Sequence, residues 1–142
     1  MYFCIFIPLV HSQVLDWNSL TKVRLPHFDL QPPFINEKLQ NPNFVFGRDA
    51  YTEVNNYFRL TNDVQSQDGY LWARQPIGFP SFAVEFSFDI KHDGALSGDG
   101  LAFWMVKDTE IGGPVFGNQD YFTGVGIFFD TYANSRVRVL VY

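Results

Sequence analysis

The sequence has 142 residues, the length of one ordinary soluble domain. Apolar residues make up 46% of it and charged residues 18%, which supplies a core and excludes an intrinsically disordered chain. Fifteen acidic residues against ten basic ones give a net charge of −5, so we expect no nucleic-acid partner, because phosphate-backbone binding depends on clustered Lys and Arg.

The first twelve residues contain an apolar run, Tyr2 to Val10, followed by His11 and Ser12. This pattern is typical of a short secretion signal with cleavage after Ser12, because the small side chain fits a peptidase pocket. No Lys or Arg precedes the run, so a buried N-terminal strand is the alternative. The single cysteine, Cys4, lies inside the run, and no apolar stretch reaches the roughly 18 residues of a membrane span.

Residues 13–40 contain three prolines among mixed residues, and we predict an irregular leader with an edge strand there. From residue 41 to residue 142, short apolar runs are separated by turn residues at roughly ten-residue spacing. The strands predicted on this basis are Tyr57–Leu60, Tyr70–Ala73, Phe82–Ile90, Leu101–Val106, Gly124–Asp130 and Val137–Val141.

Two of these runs indicate how the sheets are covered. Apolar and mostly polar residues alternate along Phe82–Ile90, which places the apolar set on one face of a strand. Leu101–Val106 is apolar throughout, as expected of a strand that is covered on both faces. No window has the spacing of an amphipathic helix. The sequence therefore predicts an all-β fold, an antiparallel β-sandwich or barrel rich in aromatic residues.

Evidence for an enzyme is nearly absent. Glu85 and Asp89 lie on one face of a predicted strand, but four strand positions separate them by about 13 Å. The carboxylate pairs of glycosidases are about 5–9.5 Å apart, so these two are excluded as a pair and are predicted to face solvent. The three histidines are isolated, which argues against a zinc site.

Residues 130–134 (Asp-Thr-Tyr-Ala-Asn) follow an apolar strand. An Asp, a main-chain carbonyl two residues later and an Asn two residues after that can face one calcium ion, which binds six to eight hard oxygens. The residues alone favour an ordinary turn, because Asp and Asn cap turns for their own reasons. Asp99 stands between Gly98 and Gly100, and is either part of a tight turn or a carboxylate placed to accept hydrogen bonds from sugar hydroxyls.

Three motifs occur in order along the chain. They are Gly-Asp-Gly-Leu-Ala-Phe-Trp at residues 98–104, Gly-Pro-Val-Phe-Gly at residues 113–117, and Gly-Val-Gly-Ile-Phe-Phe-Asp-Thr-Tyr-Ala-Asn at residues 124–134. Together with Gly-Tyr-Leu-Trp at residues 69–72, they resemble the L-type (legume-type) lectin-like family, the mannose-binding cargo receptors of the endoplasmic reticulum and Golgi. The resemblance covers residues 43–134 and implies a jelly-roll-like (concanavalin-like) β-sandwich.

The resemblance also implies a site. Asp99, Asn134 and Ser66 match the family's sugar-binding residues, whereas Asp130, Asn134 and the main-chain carbonyl of Tyr132 match its calcium ligands. In related lectins the peptide before the sugar-binding Asp is cis, so we expect a cis Gly98–Asp99 bond.

The implied function is calcium-dependent binding of high-mannose N-glycans on glycoproteins in the lumen of the early secretory pathway, with no reaction catalysed. The family domain continues beyond the point that Tyr142 matches, with a second calcium Asp, a sugar-contacting His and, in many members, a membrane anchor. We therefore expect an incomplete sandwich. The alternative is a non-binding structural or interaction fragment of such a lectin.

Overall fold

The computed structural model describes residues 3–5, 21, 23–91, 98–132 and 138–141, with the backbone alone for the first and last of these ranges. Its strands are β1 (Phe3–Ile5), β2 (Phe44–Arg48), β3 (Tyr51–Glu53), β4 (Tyr57–Arg59), β5 (Gly69–Ala73), β6 (Val84–Phe86), β7 (Gly100–Val106), β8 (Gly124–Asp130) and β9 (Arg138–Val141). The single helical element in these ranges is a 3-10 turn at Pro26–Phe28, and no helix described here has the length and apolar character to cross a bilayer.

Every strand pairing is antiparallel. Strands β7, β8 and β9 form one sheet in that order, and the remaining strands form the pairs β1–β6, β2–β5 and β3–β4. Strand β1, which pairs with β6, lies inside the apolar run that the sequence predicts to be either a secretion signal or a buried strand. Residues 23–40 form no strand, and the rest of the predicted leader lies outside the described residues.

Half of the buried apolar residues in the described ranges belong to the β7–β8 hairpin. Its register places Leu101 opposite Phe129 and Ala102 opposite Phe128, so successive residues of β8 point to opposite faces. Ile127, Phe128 and Phe129 are all buried, and Phe129 is only 1% exposed. Burial on both faces, which the sequence predicted for the apolar run of β7, is reached in β8, whereas the apolar residues of β7 are half-buried.

One face of the hairpin packs against the segment that contains β6. The ring of Phe86 stacks on Phe103 at a centroid distance of 5.1 Å and meets Phe129 edge-on at 6.1 Å. Phe88 lies 4.6 Å from the Phe129 ring. These contacts place β6 in a second layer above the β7–β8–β9 sheet.

The opposite face of the hairpin is covered by residues of the connection between β7 and β8. Trp104 meets Phe122 edge-on at 4.9 Å and Phe128 at 5.0 Å. Phe116 packs against the same Phe128 ring at 5.0 Å. Such aromatic pairs each contribute about 0.5–1.5 kcal/mol beyond their buried area, so the long connection is itself part of the core.

The N-terminal hairpins have a smaller aromatic cluster. Phe58 of β4 meets Phe46 of β2 edge-on at 5.1 Å and Phe34 at 6.4 Å. The buried Asn41 fixes the entry into β2, because its amide donates to the carbonyl oxygen of Phe34 and its oxygen accepts from the Phe44 N–H.

The strand predicted at Phe82–Ile90 is shorter than expected. Only Val84–Phe86 forms a strand, although the alternation persists, with Phe86 and Phe88 half-buried and Glu85 and Asp89 exposed as predicted. Alternating hydrophobicity reports which side of an extended segment is buried, whereas a strand also requires a hydrogen-bonded neighbour. In the described part of the chain β6 finds one in β1 alone.

Replacing Phe129 with Ala is expected to lower the free energy of unfolding by about 3–5 kcal/mol, because it opens a cavity beside the rings of Phe86 and Phe88. Tyr121→Ala is the control, since Tyr121 is 91% exposed and its loss should change stability by no more than about 0.5 kcal/mol. Urea unfolding of the two variants and the parent measures both values. Equal destabilisation by the two would contradict the assigned core.

Candidate functional site

The candidate site lies where β7 begins and β8 ends. Gly100, the first residue of β7, pairs with Asp130, the last residue of β8. Asp99 precedes this pair and Thr131 follows it, so the register brings two separate sequence motifs to one edge of the sheet. The structure thereby joins Asp99 and the segment Asp130–Tyr132, as the resemblance implied.

Thr131 connects the two chain segments directly. Its main-chain N–H donates to the carbonyl oxygen of Asp99 at 3.1 Å, and its hydroxyl donates to the carbonyl oxygen of Gly98 at 2.6 Å. The sequence suggested no role for Thr131, because both acceptors are 32 or more residues away and only the hairpin register brings them within reach.

Asp130 and Tyr132 form a tight local turn. The Oδ1 atom of Asp130 accepts a hydrogen bond from the Tyr132 N–H at 2.9 Å, which is the Asx arrangement expected of a residue that ends a strand. Asp130 is half-buried, whereas the side chain of Tyr132 is 57% exposed. Asn134, the third residue of the predicted calcium set, lies outside the described residues.

The donor atoms in this segment suit calcium. A carboxylate and main-chain carbonyls are hard oxygen ligands, the class that calcium prefers. In the described ranges no three His, Cys, Asp or Glu side chains come together. Asp130, Tyr132 and Asn134 are the residues that would hold the ion.

Glycine is required at the first position of β7. Gly100 has φ +120°, a conformation that L side chains rarely adopt, and a Cβ atom there would clash with the carbonyl oxygen of Phe129. At Gly98 a Cβ would meet nothing within 4 Å. The close approach of the Asp99 loop to β8 therefore depends on Gly100 and not on Gly98.

The expected cis peptide between Gly98 and Asp99 is wrong. The one cis peptide among the described residues joins Pro32 and Pro33. A trans bond at Gly98–Asp99 follows the general preference of about 2.5–4 kcal/mol for trans at non-proline residues, and in this form the Gly98 and Asp99 carbonyls both reach Thr131.

Ser66 is placed on a different loop. It lies in the exposed connection between β4 and β5 with φ +61°. Within the part of the chain that the structure describes, no hydrogen bond joins Ser66 to Asp99 or Asp130. Its share in the site therefore stays a prediction, as does that of Asn134.

A second connection, not predicted from the sequence, holds the Ser66 loop. Arg48 at the end of β2 forms an ion pair with Asp68, and its guanidinium also lies where a side chain at Gly112 would project, close to Gly117. The loop that contains these glycines also buries Asn118, whose side-chain amide has no hydrogen-bond partner among the described residues. A side chain at Gly112 would displace the Arg48 guanidinium from this position.

Comparison with known proteins identifies relatives of one kind. The sequence model of the legume-like lectin family matches residues 22–141. An L-type lectin-like domain-containing protein of Schizosaccharomyces pombe is 41% identical over 117 residues, which is 82% of this chain and 38% of that protein. The VIP36-like protein of Mus musculus is 48% identical over 82 residues, which is 56% of this chain and 24% of that protein.

A solved structure is also similar. The exoplasmic/lumenal domain of VIP36, crystallised in its Ca²⁺/Man3GlcNAc-bound form, superposes with a TM-score of 0.55 at 28% identity and covers 78% of this chain and 46% of that chain. The match confirms the predicted antiparallel β-sandwich. The chain spans less than half the length of each of these relatives.

Gly100→Ala is expected to destabilise the chain by about 1–3 kcal/mol or more, because it forces an L residue into a disfavoured conformation against the Phe129 carbonyl. Gly98→Ala is the matched control two residues away and should change stability by about 0.5 kcal/mol or less. Thermal or urea unfolding measures both variants. A tolerated Gly100→Ala would show that the loop does not approach β8 as described.

Proposed function

The chain belongs to the legume-like lectin family, and from that premise we propose that it binds high-mannose N-glycans of glycoproteins with the help of calcium. The observation that carries this proposal is the meeting of Asp99 with the segment Asp130–Tyr132 at one end of the β7–β8 hairpin. The segment with a carboxylate that can accept hydrogen bonds from sugar hydroxyls is thus hydrogen-bonded to the segment with oxygen ligands able to hold a cation. The role is that of a binding module.

Calcium would be held by the Asp130 carboxylate, the Tyr132 carbonyl and Asn134. One Asp130 oxygen already accepts from the Tyr132 N–H, so the turn is organised by the same carboxylate that would contact the ion. Tyr132 is exposed, and its proposed calcium ligand is the main-chain carbonyl oxygen that matches the family motif. When bound, the ion supplies a fixed positive charge that orders the loop and orients Asn134.

The sugar would be recognised mainly by hydrogen bonds. Asp99 is exposed at the sheet edge, and an ionised carboxylate accepts from hydroxyl groups in bonds that are stronger than those between neutral partners. Ser66 would donate or accept one further bond from its own loop, and Asn134 would add a carboxamide. The support for Asp99 is structural, whereas that for Ser66 and Asn134 is the match to the family motif.

The cellular setting is proposed by analogy with the relatives. VIP36 is a vesicular integral-membrane protein, and its solved domain is lumenal. We propose that this chain acts as a cargo-receptor lectin in the lumen of the endoplasmic reticulum, the intermediate compartment or the Golgi. Residues 1–12 would direct entry, residues 13–40 would form a leader to the lectin domain at residues 41–142, and a C-terminal anchor would supply membrane association.

A second candidate is a fragment that folds in part and binds no sugar. Its support is the exposure of three large apolar residues in the segment that contains β6, namely Phe79, Phe82 and Ile90. Exposed apolar side chains favour association with another surface. Calcium-dependent stabilisation separates the two candidates, because only a formed site couples ion binding to folding.

Asp99→Asn is expected to weaken glycan binding at least about tenfold, because a neutral amide accepts weaker hydrogen bonds than a carboxylate and adds a donor. Glu85→Gln, the same chemical change at an exposed position on β6, is the control and should bind as the parent does. Isothermal titration with the Man3GlcNAc oligosaccharide in calcium buffer measures the affinities. Unchanged binding by Asp99→Asn would remove Asp99 from the site.

Saturating calcium, about 100 times its Kd, is expected to stabilise the chain by about 2.7 kcal/mol, a rise in Tm of about 5–10 °C. Asp130→Asn should lose most of this rise in Tm, because a neutral amide supplies no negative charge to the ion. The turn itself should persist, since the amide oxygen can still accept the hydrogen bond from the Tyr132 N–H. Differential scanning calorimetry with and without chelator records the shifts. A parent chain that melts cooperatively at the same Tm with and without calcium would favour the non-binding candidate.

A further inference from the structure

We propose that Thr131 is a positioning residue that couples order in the calcium-binding segment to the orientation of the Asp99 carboxylate. This inference rests on the proposed function and deepens it, because it states how an ion held by one chain segment affects a sugar ligand on another. The observation is the pair of hydrogen bonds from Thr131 to the Asp99 loop.

The two bonds fix the backbone on both sides of Asp99. The carbonyl of Gly98 belongs to the peptide group before the Asp99 Cα atom, and the carbonyl of Asp99 belongs to the peptide group after it. Thr131 donates to both, through its hydroxyl at 2.6 Å and its main-chain N–H at 3.1 Å. The positions of these two peptide planes determine φ and ψ of Asp99, and hence the direction in which its side chain leaves the backbone.

Only one of the two bonds depends on the side chain. The bond from the Thr131 N–H to the Asp99 carbonyl extends the β7–β8 ladder by one step and is available to any non-proline residue. The bond to the Gly98 carbonyl requires a hydroxyl. Asp99 lies outside β7 and is exposed, and among the described residues the Thr131 hydroxyl is the one hydrogen-bond partner of the peptide group that precedes Asp99.

Thr131 is also the residue between the two proposed calcium donors that the structure describes. Asp130 precedes it, Tyr132 follows it, and the bond from the Tyr132 N–H to the Asp130 carboxylate encloses it in the turn. An ion that orders this turn therefore restricts the Thr131 backbone and hydroxyl together. By linkage, a sugar that restricts Asp99 must in turn raise the affinity for calcium by the same factor.

The test uses the full chain with Thr131→Val, which keeps the branched shape and removes the hydroxyl, and Thr131→Ser, which keeps the hydroxyl and removes the methyl group. Thr123→Val is the matched control, because Thr123 is an exposed threonine at the opposite end of β8. Calorimetric titration gives the Man3GlcNAc affinity in calcium, and the calcium affinity with and without the oligosaccharide.

Loss of one hydrogen bond of ordinary net strength predicts glycan binding about three- to tenfold weaker in Thr131→Val. The factor by which glycan raises calcium affinity should fall by the same amount, whereas calcium affinity without glycan changes little. Thr131→Ser and Thr123→Val should stay within about twofold of the parent. A purely structural role would lower both affinities in proportion to stability and would not change the coupling factor.

Hydrogen exchange supplies a readout that needs neither ligand. In the metal-free chain, amides of residues 98–101 should exchange about three- to tenfold faster in Thr131→Val than in Thr131→Ser or the parent. If Thr131→Val does not melt cooperatively, Thr131→Ala takes its place with the same expectations.

The outcomes separate the two proposals. A parent chain that binds no Man3GlcNAc in calcium sinks the proposed function, and the exchange rates still decide whether Thr131 fixes the Asp99 backbone. A parent that binds, with Thr131→Val equal to it in glycan affinity, coupling factor and exchange, overturns the role of Thr131 and leaves the lectin function standing.

Discussion

The pairing of β7 with β8 is the constraint on which the rest of the structure depends. Seven residue pairs, from Gly100–Asp130 to Val106–Gly124, fix one register, and a shift by a single residue would exchange the faces of Phe128 and Phe129. Each of those rings has its own aromatic partners on its own side of the sheet, so both clusters oppose the shift. The same register determines which residues meet at the hairpin's open end. Core packing and site geometry are therefore consequences of one alignment.

Strand positions were predictable where an apolar run lies between turn residues. The bounds predicted for β5, β7 and β8 differ from the observed ones by at most one residue, because continuous apolar character between turn residues leaves few alternatives. Phe82–Ile90 was overpredicted since its alternation indicates burial of one side but contains no information about a hydrogen-bonded neighbour. The short pairs β2–β5 and β3–β4 were only partly foreseen, because their register depends on turns such as the one at Asn41, where a side chain sets the start of β2.

The candidate site was likewise predictable from the sequence only in part. Asp99 and Asp130 could be identified from motif resemblance, and the structure brings their segments together. Thr131 could not be assigned, because a threonine after a strand has no distinguishing pattern and its acceptors become near only through the hairpin register. The contacts of Arg48 could not be predicted for the same reason, because they join three parts of the chain that are distant in sequence, at Arg48, Asp68 and Gly112.

Residues close to each other in the β7–β8 hairpin have opposite requirements for burial, because one contributes to stability and the other to the proposed recognition of a ligand. Phe129 is buried between the two layers, whereas Asp99 is exposed, as its proposed contact with a ligand requires. Gly100 permits both, because its lack of a Cβ lets the Asp99 loop approach the Phe129 carbonyl at φ +120°. In the proposed site, the Asp99 carboxylate would take its rigidity from the packed hairpin that carries it. The loop then needs only a few polar contacts of its own, such as those from Thr131, to define its direction.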